Sequence, residues 1–153
     1  MDFESCIETW EINNRINLYL LNAINEEFLS DTSVSKGRSV GEQFAHIHNV
    51  RLMWLKAAEP NLLSGLTKLE KGTITKQLLT EELHNSASAI ALLLERGMEE
   101  GKIKGFKPHP AAFLGYMIAH DSHHRGQVIL SLKQSGHPID QKVQYGIWEW
   151  GSR

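Results

Sequence analysis

Cysteine is almost missing from the chain, and that absence excludes a good deal. Cys6 is the only one, so no intramolecular disulfide can form and no cysteine-based zinc site can be assembled. A lone thiol fits a reducing compartment. Prolines number 4 and glycines 12 among 153 residues, too few for a collagen-like, linker-rich or disordered chain. No basic run stands out, and the formal net charge is −2; a strong basic footprint is what nucleic-acid binding needs. No apolar run approaches the ~20 residues of a membrane-spanning helix. The start, Met1-Asp2-Phe3-Glu4, lacks the basic and apolar regions of a secretion signal. These features lead to the expectation of a cytoplasmic protein with no nucleic-acid partner and no membrane partner. With 41% hydrophobic and 22% charged residues, one domain over residues 1–153 can bury a core of its own.

What is present is helical periodicity. Strand-like alternation and hairpin turns are absent. A first helix is expected from Asp2 to Leu29, because Ile7, Trp10, Leu18, Leu21, Ile24 and Phe28 recur at helical spacing. Asn14 and Asn17 interrupt that stripe on the same side. A second helix opens at Ser39 with the capping box Ser39-Val40-Gly41-Glu42, runs through Trp54 and stops before Pro60. Nearly every side of it is apolar, so it should be well buried. The connection Asn61–Gly72 carries Leu62, Leu63, Leu66 and Leu69 and should pack on the helices. A third helix is predicted from Thr75 to Met98, with Gly97 and Gly101 ending it. A fourth begins near Pro108 or Pro110 and ends at Ser135, before Gly136 and Pro138. The tail Tyr145–Trp150 should fold back. The fold class is therefore all-α, a four-helix bundle.

Of the eight histidines, His46 and His48 lie in the second helix, and His120, His123 and His124 in the fourth. His120 and His124 are one turn apart and about 40° apart in azimuth, so they share a face with Phe113 and Met117. Two inward imidazoles among apolar side chains need partners that Phe and Met do not supply, and a metal ion satisfies both at once. His46 and His48 differ by about 200° and cannot both reach one site. Periodicity leaves open which of the two is a third ligand. His123 is rotated about 60° from His120, away from His124, and is not expected to ligate. Glu81 and His84 form a Glu-x-x-His element, but it has no second copy, so a carboxylate-rich di-iron bundle is not expected. Neutral imidazole ligands suit Zn, Ni, Co or Fe as a divalent ion and disfavour Ca and Mg.

Two stretches, Ser39-Val40-Gly41-Glu42-Gln43-Phe44-Ala45-His46 and His120-Asp121-Ser122-His123-His124-Arg125-Gly126-Gln127, together resemble the DinB-like family of metalloenzymes. The resemblance implies an up-down-down-up four-helix bundle with one divalent metal ion held by His46, His120 and His124; it thus favours His46 over His48. Related branches include thiol S-transferases that use low-molecular-weight thiols, and metal-dependent hydrolases. The leading expectation is an enzyme that activates a thiol or water for attack on a small electrophilic substrate, with a low-molecular-weight thiol as co-substrate in the transferase case. Asn14, Asn17 and Gln127 are the candidate substrate-binding residues. The competing expectation is a non-enzymatic metal- or small-ligand-binding stress protein. A homodimer is an option the sequence leaves open.

Overall fold

The computed structural model describes residues 2–153. Four long helices, α1 (Phe3–Asn22), α2 (Val40–Ala58), α3 (Lys76–Glu100) and α4 (Pro110–Gln134), are followed by a short α5 (Gln141–Gly146). Local chemistry explains their starts. Asp2, Ser39, Thr75 and His109 each accept a backbone N–H of the first turn, meeting donors that have no partner within the helix. At Ser39 the capping box is complete: its hydroxyl takes the Glu42 N–H at 3.2 Å, and the Glu42 carboxylate takes the Ser39 N–H at 3.3 Å. Pro110 occupies the first turn of α4, where a missing N–H costs nothing.

Contacts between elements fix the topology. Trp10 donates to the Ala87 carbonyl while Lys76 reaches the Asn22 and Ile24 carbonyls, so α1 and α3 are antiparallel. Gln43 meets His124 and Trp54 packs on Phe113, so α2 and α4 are antiparallel. His48 meets Glu82 and Arg51 meets Ser86, so α2 and α3 are parallel. Cys6 lies beside Pro110, and Asn13 bonds Asp121, so α1 and α4 are parallel. The order is up-down-down-up, with α1 and α2 each packed against both α3 and α4. A parallel α2–α3 pair requires residues 59–75 to travel back along the bundle. That connection is docked: Asn49 holds both the N–H and the C=O of Leu69, at 2.9 and 3.0 Å. Leu69 is buried in the core and Leu62, Leu63 and Leu66 pack against it, as the leucine content predicts.

The apolar core is in two parts. One, around Leu20, Phe44, Leu83 and Val128, fills the end of the bundle where α1 finishes; the other, around Trp10, Leu55, Ile90 and Phe113, fills the end where α1 begins. Between them lies a buried polar layer of Asn13, Asn14, Asn17, Arg51, Ser86, Asp121 and Arg125.

Two boundaries differ from the sequence expectation. α1 ends at Asn22, not Leu29: Asn25 is extended (φ −65°, ψ 142°), and residues Glu26–Ser30 form a separate 3-10 turn. Phe28 keeps an apolar role from that turn, stacking on His137 at 3.8 Å, which is why its periodicity mimicked a continuing helix. Gly97 lies within α3; it permits the close approach of Ile103, whose side chain occupies the space a Cβ would need. The helix ends at Gly101, which takes the left-handed conformation (φ 74°) suited to glycine. The tail does fold back: the Arg153 guanidinium sits 3.7 Å over the Tyr19 ring. Tyr145 and Trp148 nevertheless remain exposed. Among the described residues no helix is long and apolar enough to cross a membrane.

Candidate metal centre

α2 and α4 run antiparallel, and this brings His46 opposite the turn of α4 that carries His120 and His124. One ligand atom from each of the three lies within 4.8 Å of the others. The Nε2 atoms of His46 and His120 are 3.4 Å apart, and the ring centroids of His46 and His124 are 4.6 Å apart. His124 is buried, whereas His46 and His120 are partly accessible.

Two of the three imidazoles, His46 and His124, are neutral at neutral pH. Burial, followed by the charge of Arg38 and the neighbouring His120, lowers the His46 pKa to about 4. Burial, then His120 and His46, lowers that of His124 to about 3. At neutral pH His46 and His124 are thus unprotonated, with ring nitrogens free to ligate a divalent cation. The tautomer of His124 is set: its Nδ1–H donates to the Gln43 amide oxygen at 2.6 Å, leaving the Nε2 lone pair free. Gln43 is buried one turn before His46 on α2. It belongs to the second-helix motif, but sequence reasoning gave it no role, because its partner lies on another helix.

His120 has a different neighbour. Its Nδ1 and the Asp121 Oδ1 are both buried without a hydrogen-bond partner, and they lie 3.5 Å apart. At that distance the contact is electrostatic, not a formed hydrogen bond. A small rotation of the imidazole would complete a carboxylate–histidine pair of the kind that orients metal-binding histidines. Two orphaned polar atoms facing each other beside a three-nitrogen cluster is what a site built around an ion looks like when its ligands are not pulled into place. The donor set fits a zinc-like ion: three imidazole nitrogens, with no fourth His, Cys, Asp or Glu grouped with them among the described residues.

The polar layer explains the remaining candidates. Asp121 Oδ2 accepts from Asn13 at 2.8 Å, Asn17 at 3.0 Å and Arg51 at 2.9 Å. Burial alone would raise the Asp121 pKa, but Arg51 and the donated hydrogen bonds outweigh it and hold it at about 2. Arg51 also donates to Asn14, Leu83 and Ser86 and lies 4.8 Å over the Trp10 ring. Asn14 and Asn17, candidate substrate-binding residues from the sequence, sit in this layer. Both are buried, and their amides are hydrogen-bonded to Arg51, Asp121 and Arg125, so they brace the helices behind His120. Gln127 is half-buried and makes no side-chain hydrogen bond among the described residues. His48 lies apart from the cluster, between the carbonyls of Glu82 and Thr67 at 3.1 and 2.7 Å, and His123 is exposed. A hollow of about 230 Å³ reaches His46 past Arg38, Lys71 and Asn49.

No curated protein matches the chain. The DinB family matches residues 2–142, a span that takes in all four long helices and both histidine-bearing stretches, and the chain therefore belongs to the DinB family.

Proposed function

We propose that the protein is a divalent-metal-dependent enzyme in which His46, His120 and His124 hold the ion and a thiol or water attacks a small electrophile. The observation that carries this reading is the convergence of three imidazoles with no fourth ligand-type side chain grouped with them among the described residues, since catalytic centres keep a coordination position open while structural ones close it. The chemistry a divalent cation supplies at such a centre is a lowered pKa for a thiol or water, giving thiolate or hydroxide near neutral pH.

The chain's own residues supply the rest. Gln43 fixes the protonation of His124, Asp121 faces the back of His120, and the Asn13–Asn17–Arg51 network holds Asp121 in place. Arg38, Glu42 and Lys71 edge the hollow beside His46; Lys71 pairs with Glu42 at 3.5 Å, so Arg38 is the charge there that favours an anionic reactant, as low-molecular-weight thiols carrying carboxylates are. A cytoplasmic setting agrees with the single, buried thiol of Cys6.

The test is to strip the protein with chelator, reload it separately with Zn, Ni, Co and Fe(II), and assay thiol transfer to an alkylating electrophile with several low-molecular-weight thiols, alongside ester hydrolysis. The reading expects turnover that needs the metal and disappears in His124→Ala. Metal binding without turnover in any arm would favour the non-enzymatic binding protein. Turnover indifferent to both metal and His124 would rule the centre out.

A further inference from the structure

On the side of α4 roughly opposite the histidine cluster lies a second hollow, of about 290 Å³. One wall is a face of α4. Ser122, Arg125, Gly126 and Ile129 line it, at the i, i+3, i+4, i+7 spacing that places side chains together. The other wall is the C-terminal segment, through Gln144, Trp148 and Trp150. That wall follows the stretch matched by the family, which stops at residue 142.

Arg125 is the unusual member. Its side chain is almost wholly buried, with the residue 6% exposed, yet it forms no ion pair with a carboxylate among the described residues. Asp121, the carboxylate of the polar layer, pairs with Arg51. Only one amino group of Arg125 is engaged, Nη1, which donates to Asn13 at 3.0 Å and Asn17 at 2.6 Å. Nε and Nη2 have no acceptor among the described residues and are not sealed from solvent, and the residue lines the hollow. A buried guanidinium is normally paired, and the polar layer holds two guanidiniums against one carboxylate. Beside this edge stand two indoles, Trp150 partly covered and Trp148 73% exposed, large apolar surface that soluble proteins seldom leave open without use.

We propose that this hollow binds a small organic acid, its carboxylate on the Nε–Nη2 edge of Arg125 and its planar apolar body against Trp148 and Trp150. The guanidinium fork matches a carboxylate in a bidentate manner, and the indoles offer stacking faces. Ser122 and Gln144 supply further polar contacts at the margin. The volume lies at the small end of ligand pockets, suited to one or two fused rings. This site shares no residue with the three histidines, and it touches their surroundings only through Asn13 and Asn17, which Arg125 shares with Asp121.

Isothermal titration of the full chain with 1-naphthoate, 1-naphthamide and inorganic phosphate tests it, on metal-loaded and on chelated protein. The proposal expects naphthoate to bind at one site per chain, at least about tenfold tighter than the amide or phosphate, with or without metal. Gly126→Leu is the main variant: a side chain there meets no atom within 4 Å and extends into the hollow. Gly126→Leu and Trp148→Ala should each weaken naphthoate at least roughly tenfold, and Arg125→Gln should remove the preference for the acid over the amide. Should Arg125→Gln fail to fold, the other two variants decide. No binding of naphthoate at millimolar concentration, equal binding of the amide or of phosphate, indifference to both Gly126→Leu and Trp148→Ala, or loss of binding on chelation would each overturn the proposal.

Discussion

Gln43 and Asp121 stand one bond beyond the histidines. Neither is a candidate ligand, yet each faces the Nδ1 of an imidazole whose Nε2 is left for the cluster. Gln43→Leu keeps the volume and removes the acceptor of the His124 Nδ1–H. Metal affinity should fall by about 10–100-fold, the usual effect of losing such a partner, in a competition titration against a chromophoric chelator. His48→Gln and His123→Gln should leave metal content unchanged. Asp121→Ala would strand Arg51 as an uncompensated buried charge. The expected loss is on the order of 3–5 kcal/mol, read from urea unfolding of the chelated protein. How much of this was legible depends on reach. The inward pair His120 and His124 follows from spacing on one helix. The partners of Asn14, Asn17 and Gln43 lie on other helices, and periodicity carries no information across helices. That is why the partners of the asparagines could not be read from sequence.

At the level of elements, starts were easier to place than ends. A helix start depends on a side chain a few residues away, as in the Ser39–Glu42 pair, so sequence holds the signal. Beyond the end of α1, Phe28 stacks on His137 from across the fold, a contact that sequence spacing does not hold. The α2–α3 connection is an intermediate case. Its leucines announce that it packs, but its course is set by Asn49 gripping both backbone groups of Leu69. Asn49→Ala leaves that N–H and C=O without partners. A cost of roughly 1–3 kcal/mol is expected, concentrated locally, so hydrogen exchange should quicken in residues 60–70 more than in α1 or α4. Uniform quickening across the chain would contradict a local clamp.

The whole molecule is two apolar plugs separated by a polar layer that is level with the histidines, and its pH response follows. The folded-state pKa values of His46 and His124, about 4 and about 3, lie below the ordinary 6.5. Above about 6.5 neither the folded nor the unfolded chain binds these protons, and this contribution to stability is complete. As pH falls below 6.5 the unfolded chain takes protons that the folded one refuses, so stability drops progressively until about pH 3–4, where the folded state takes them too. The chelated protein should thus show a melting temperature that declines from pH 7 to pH 4. Asp121, held at about 2, adds a further decline between about pH 4 and pH 2. Bound metal excludes the histidine protons, so the loaded protein should hold its melting temperature to lower pH and release the ion as it loses stability. The most direct test of the metal centre is calorimetric titration of zinc into chelator-stripped protein, comparing the native chain with one carrying His46→Ala, His120→Ala and His124→Ala together. The expected result is one zinc ion per native chain and none at that affinity in the triple variant, with both proteins helical at 25 °C. Equal stoichiometry and affinity in the two proteins, or no binding to the native chain, would contradict it.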